Sequence, residues 1–192
     1  MRQVQIVKTK TNVIGVVILG LAFFFYGASH RSSGVRSTES LSPASKESRS
    51  APDFELKTVD GRAVKLSAFR GKAVVLNFWA TYCGPCRVEM PWLIELYRQY
   101  QLQGLEIIGV SMDDPGEAQQ VADFVREFGV NYTIVLGNHT VGDAYGGARF
   151  LPQTFFINRE GRITGSATGM KSKADFEILI RELLANASHK FN

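Results

Sequence analysis

Apolar residues along this chain fall into two kinds of run, short unbroken stretches and series recurring every three or four residues. Ala73-Val74-Val75-Leu76-Asn77-Phe78 and Leu105 to Val110 have the length and β-branched content of buried strands. Tyr132 to Leu136 is a shorter strand of the same kind. Phe54-Glu55-Leu56 and Ala63-Val64-Lys65-Leu66 alternate around Asp60-Gly61, the pattern of a β-hairpin. Gln153 to Asn158 and Arg162 to Ala167 predict a second hairpin across Glu160-Gly161.

The helical series begin at Val88, Trp92, Leu93, Leu96 and Tyr97, spaced for one amphipathic face. Pro91 falls inside that helix and predicts a kink near Arg87-Val88. Val121, Phe124, Val125 and Phe128 mark a helix over Glu117 to Phe128. Ser172 and Asp175 form a capping box for a last helix reaching about Ala187. Gly137 to Arg149 is glycine-rich and reads as irregular. Strands alternating with helices predict an α/β domain, a central mixed sheet with helices on both faces.

Ahead of that domain, an uncharged run from Val13 to Ala28 follows Arg2, Lys8 and Lys10. It is short for a membrane helix, which needs about 20 apolar residues and tolerates roughly 17. A cleaved signal peptide ending near Gly27-Ala28-Ser29 competes with a retained signal-anchor. Phe23-Phe24-Phe25-Tyr26 suits an interfacial anchor and favours retention, so residues 1–28 are expected to form one transmembrane helix. In either case the basic residues stay in the cytoplasm and everything after Ala28 is exported. Residues 29–50, rich in serine and without apolar periodicity, read as a flexible linker. The division expected is therefore anchor 1–28, linker 29–50 and folded domain 51–192.

Charge follows the same division. Of the 22 basic and 18 acidic residues, seven basic and two acidic fall in residues 1–50, against fifteen and sixteen in the remainder. The folded part is nearly neutral and carries no basic cluster, which removes support for nucleic-acid binding.

Cys83 and Cys86 are the only cysteines, so a disulfide within one molecule must join them. They sit where a predicted strand ends and a helix begins, and there unpaired backbone N–H groups and the helix dipole favour a thiolate. Zinc would need two further ligands, and His30, His139 and His189 are scattered; no metal is expected. Covalent haem attachment requires histidine directly after the second cysteine, where Arg87 stands. A purely structural disulfide remains open, although so short a loop gains little from closure. Cys83, nearer the helix start, is the expected nucleophile and Cys86 the resolving thiol.

Phe78-Trp79-Ala80 followed by Cys83-Gly84-Pro85-Cys86 resembles the thioredoxin superfamily. The leading hairpin and Phe69-Arg70-Gly71-Lys72 resemble its TlpA-like and ResA-like branch, membrane-anchored thiol–disulfide oxidoreductases, and also the related peroxiredoxins. The resemblance covers about residues 51 to 187. It implies a thioredoxin-like fold with an added N-terminal β-hairpin, and a redox disulfide Cys83–Cys86 working without a cofactor. The Gly84-Pro85 spacer matches reducing thioredoxins, whose potentials lie near roughly −270 mV.

The resemblance also implies roles for neighbouring residues. Asn77 stands where plain thioredoxin has a buried aspartate. Glu89 matches a glutamate that helps move protons at the cysteine pair; a solvated helix glutamate is the alternative. Leu151-Pro152 matches the cis-proline beside the cysteines, where Phe150-Leu151 would pair with an extended substrate. Trp79, Tyr82, Gly84, Pro85, Leu151 and Pro152 are thus the expected substrate-binding set. His139 reads as a loop histidine, since no motif partners it.

The function so implied is reduction of protein disulfides by a monomeric, single-pass protein of the bacterial cell membrane, its catalytic domain on the periplasmic or extracytoplasmic side. Cytochrome c maturation is the implied setting, with apocytochrome c as client and a membrane thiol reductase as electron donor. A thiol peroxidase of the alkyl hydroperoxide reductase kind is the first alternative. Its usual motif places proline seven, and threonine or serine three, residues before the reactive cysteine, where Leu76 and Ala80 stand. A client-binding module without turnover is the second, and the intact cysteine pair argues against it.

Overall fold

The computed structural model describes residues 49–185. The expected anchor, nearly all of the expected linker and the end of the last helix lie outside the described residues. Strands are β1 (Glu55–Thr58), β2 (Ala63–Lys65), β3 (Ala73–Trp79), β4 (Leu105–Ser111), β5 (Thr133–Leu136), β6 (Gln153–Ile157) and β7 (Ile163–Thr168). Helices are α1 (Gly84–Tyr100), α2 (Ala118–Glu127), α3 (His139–Ala144) and α4 (Lys173–Ala185). The strands form one mixed sheet in the order β2-β1-β5-β4-β3-β6-β7.

β3 is buried along its whole length, as its unbroken apolar sequence requires of a strand covered on both faces. It runs parallel to β4 and antiparallel to β6, while β4 runs parallel to β5. Alternation along β3 sends Val75 and Trp79 to one face of the sheet and Val74, Leu76 and Phe78 to the other. The first face packs against Met90, Leu93 and Leu96 of α1, Val121 and Phe124 of α2, and Phe176, Ile180 and Leu183 of α4. The second packs against Leu66, Val141 and Tyr145.

The expected hairpins, strands and three longer helices are present, with ends moved by a residue or two. Two differences have local causes. The stretch from Gly137 is not wholly irregular: Asn138 caps α3, its side chain accepting from the Val141 N–H at 2.9 Å, and Val141 and Tyr145 are buried one turn apart. The glycines around that pair hide its helical spacing. Finally, the folded part begins before residue 51. Ser50 forms a β-bridge with Arg162, and the Arg49 carbonyl accepts from the Ile163 N–H at 2.8 Å.

Candidate active site

Cys83 is the N-cap of α1, in extended backbone, and Pro85 lies in the first turn, where proline sacrifices no hydrogen bond. The Cys83 sulfur takes the place usually held by a serine or aspartate oxygen, accepting from the Cys86 N–H at 3.3 Å. A thiolate at Cys83 would therefore face a helix-end donor, which lowers the cost of carrying charge there. Here the two cysteines are joined in a disulfide with their Cα atoms 5.3 Å apart. Both cysteines are buried, Cys83 at 8% exposed and Cys86 at 1%, so Cys83 is the less enclosed of the two.

The turn carrying Cys83 is tied to the end of the neighbouring strand. Both oxygens of Asp113, just beyond β4, accept from the Thr81 N–H, at 3.0 and 3.1 Å. The Thr81 hydroxyl donates to the same carboxylate and accepts from Gln120 Nε2 at 2.8 Å. Ser111 Oγ donates to Asp113 at 2.7 Å. Arg87 closes the outer side, its guanidinium 4.9 and 5.1 Å from the stacked rings of Phe124 and Phe128. Arg87 and Phe124, with Thr81, Tyr82, Gln120, Asp123 and Glu127, line an open groove of about 460 Å³.

Behind the disulfide lies a carboxyl group. Glu89 follows Cys86 by one helical turn and is 1% exposed, which removes the reading of a solvated helix glutamate. Asn77 Nδ2 donates to Glu89 Oε1 at 2.9 Å and to Thr154 Oγ1 at 3.0 Å. Glu89 Oε2 is buried without a hydrogen bond. Burial pushes the carboxyl up to about 7, and the Asn77 hydrogen bond and the Lys171 backbone amide only partly offset it. Such a group changes protonation near neutral pH, the range in which a thiol's proton must move.

The remaining expected residues divide by exposure. Tyr82 is 71% exposed, Gly84 and Pro85 face solvent, and Phe150 is 72% exposed. Leu151 is half-buried, and the Leu151-Pro152 bond is cis. The Pro152 carbonyl accepts from the Gly169 N–H at 2.8 Å, joining the turn before β6 to the turn after β7. Trp79 differs from expectation. It is fully enclosed, its ring 5.1 Å from Phe124 and its edge against Gly109, where a Cβ would come within 3.0 Å of Nε1. A strand entirely covered by α1 and α2 turns this side chain inward, so Trp79 supports the site without offering surface to a client. His139 is exposed at the start of α3.

Asp113, Thr81 and Thr154 were not read from the sequence as site residues. Asp113 had a signal: it ends a strand predicted to run beside β3, and in open parallel sheets the strand ends converge on the site. Thr154 lies two residues beyond Pro152 and so on the same face of β6, which becomes visible only once β6 is paired with β3.

The AhpC/TSA family matches residues 48–166, a span that includes the cysteine pair and cis-Pro152. A thiol–disulfide oxidoreductase, ResA, of Geobacillus thermodenitrificans is 42% identical over 128 residues, 66% of this chain and 72% of the relative. ResA of Bacillus subtilis is 35% identical over 166 residues, 86% of each chain. Among solved structures, a thiol:disulfide interchange protein of the thioredoxin family from Chlorobium tepidum superposes with a TM-score of 0.67 at 28% identity, covering 73% of this chain and 99% of that one. A helix-capping cysteine pair, a cis-proline beside it and relatives alike over most of their length agree, and the chain belongs to the AhpC/TSA family as a ResA-like thiol–disulfide oxidoreductase.

Proposed function

We propose that this protein reduces disulfides in exported proteins, with Cys83 as nucleophile, Cys86 as resolving thiol and Glu89 as acceptor of the Cys86 proton. The observation that carries the reading is the asymmetry of the site: a less enclosed cysteine at the helix cap, and a buried carboxyl of near-neutral pKa one turn beyond the other cysteine. In the reduced enzyme the Cys83 thiolate attacks one sulfur of a client disulfide. A Cys83–client bond forms, the client S–S bond breaks, and the second client sulfur leaves as thiolate. Cys86 gives its proton to the Glu89 carboxylate and attacks Cys83, releasing the first client sulfur. Two electrons pass to the client, and the enzyme is left as the disulfide described above. Glu89 then returns the proton towards the departing thiolate.

Tyr82, Gly84, Pro85 and Leu151 form the client surface of this reading, buried cis-Pro152 shapes the turn behind it, and Phe150-Leu151 supplies the edge against which an extended client pairs. The ResA-like relatives support a setting in which an apocytochrome c is the client and a membrane thiol reductase returns electrons. Residues 1–28 serve as the anchor in the bacterial cell membrane, the serine-rich stretch as tether, and the domain works outside the cytoplasm as a monomer. Residues 49–192 should catalyse dithiothreitol-driven insulin reduction, and Cys86→Ala should accumulate mixed disulfides with clients in the native host. A truncated protein without insulin reductase activity would break the division into anchor and catalytic domain.

A further inference from the structure

Two acceptors share one donor behind the disulfide. Asn77 and Thr154 face each other across the β3–β6 pair, and both point to the α1 face of the sheet. The Asn77 amide nitrogen carries two hydrogens; one goes to Glu89 Oε1 and the other to Thr154 Oγ1. An asparagine amide is nearly symmetrical in shape, so packing alone does not decide which end faces Glu89. Turned over, Oδ1 would face the carboxyl oxygen. That contact repels a carboxylate and is favourable only when Glu89 carries a proton to donate.

We propose that Thr154 is a positioning residue for disulfide exchange: its hydroxyl oxygen takes the second hydrogen of the Asn77 amide and anchors that amide in place, keeping a donor on the carboxylate that follows Cys86 by one turn. The proposal rests on the reading of Glu89 as proton acceptor. The other groups acting on Glu89 do not fix the amide. On its own helix the neighbour one turn back is Cys86. From the turn before α4 comes the Lys171 backbone amide, while the Lys171 ammonium acts on Asp175. From the β5 side, Tyr132 is a neutral phenol held above its usual range by burial and by the Glu89 charge. Asn77 is thus the side chain that donates to Glu89, and Thr154 the one that anchors the Asn77 amide through its second hydrogen. The arrangement also links client to proton: Thr154, in β6, lies two residues beyond cis-Pro152, in the turn that this reading places at the client.

The test is the pH profile of thiol–disulfide exchange, measured by stopped flow from pH 5 to 9 with the reduced full-length protein and a small aromatic disulfide. Thr154→Val keeps the shape of the side chain and removes the hydroxyl. Its profile should move to higher pH by roughly one unit, a tenfold change in the ionisation equilibrium, and Thr154→Ser should restore the wild-type position. In a Glu89→Gln background, Thr154→Val should add no shift. Thr154→Ala serves if the valine variant does not fold, and the carboxyl carbon-13 shift of Glu89 reads the same titration directly. A Thr154→Val profile superimposed on wild type while Glu89→Gln departs from it overturns the role of Thr154 and leaves Glu89 standing. A Thr154→Val shift that persists in Glu89→Gln overturns it also, because the hydroxyl would then act by another route. If Glu89→Gln itself matches wild type, the proton-acceptor reading fails and this role fails with it.

Discussion

Glu89→Gln in the oxidised protein should change how stability depends on pH. Burial raises the Glu89 carboxyl from an ordinary 4.5 to about 7. Between those values the unfolded chain has released this proton and the folded chain still holds it. The folded state then binds more protons, so stability falls as pH rises. The contribution is fully present below about 4.5 and is lost as pH passes about 7. At 1.36 kcal/mol per unit, the shift corresponds to about 3 kcal/mol across that window. Glutamine fills nearly the same volume and does not titrate, so it removes the dependence. Urea unfolding of residues 49–192 with the disulfide intact, at pH 4.5 and pH 8, gives the difference between variant and wild type at each pH, and the other titrating groups cancel. Glu89→Gln should gain about 3 kcal/mol relative to wild type on moving from the lower pH to the higher. Parallel stability curves would mean that the carboxyl ionises without cost where it sits, and the argument from burial would be wrong.

Two further outcomes concern the cysteine turn. Limited alkylation of the reduced protein should modify Cys83 ahead of Cys86, since Cys83 is the less enclosed residue and its sulfur faces the helix-end donor; peptide mapping reads the order, and preferential modification of Cys86 would reverse the assignment. Asp113→Ala strips the acceptors from the Thr81 N–H and hydroxyl and should cost about 1–3 kcal/mol for buried donors left unmatched, whereas Asp113→Asn should cost less; unfolding midpoints decide between them.

The parts of this molecule that were legible in the sequence are those set by short-range pattern. β3 announces itself because seven consecutive buried positions need an apolar run, and α1 because its buried residues repeat at helical spacing. The cysteine pair is legible because a strand end followed by a helix start fixes where the motif must sit. What the sequence withheld depends on residues brought together from afar. Trp79 stands beside the motif and looks like surface, yet the side to which it points is decided by α2 covering that end of the sheet. Asp113 is 32 residues from Thr81, and Thr154 is 77 residues from Asn77; neither pair has a local signature. Glu89 lies between these cases. Helical spacing put it beside Cys86, but its burial, and hence its near-neutral pKa, follows from the way β3, β6 and the turn before α4 close over it.

The AhpC/TSA match raises the question of peroxide chemistry, and the cysteine turn supplies an answer that can be measured. When a thiolate attacks a peroxide, the O–O bond breaks and negative charge develops on the departing oxygen. Removing a donor aimed at such a charge typically costs roughly 100-fold to 1,000-fold in rate. The thiol peroxidases that the sequence resembles carry threonine or serine three residues before the reactive cysteine. Here that position is Ala80, fully buried, with no hydroxyl to offer. The next residue does not substitute for it, because the Thr81 hydroxyl already donates to Asp113 and accepts from Gln120. Leu76, in the place of the peroxidase proline, is a core residue of β3. Arg87, the residue after Cys86, places its guanidinium over Phe124 and Phe128. The reduced protein should therefore consume hydrogen peroxide no faster than dithiothreitol does at equal thiolate concentration, while still reducing insulin. Stopped-flow oxidation followed by loss of free thiol measures this. A peroxide rate roughly 100-fold above the dithiothreitol control, the size of one well-aimed donor, would show that some other group stabilises the leaving oxygen and would restore the peroxidase reading.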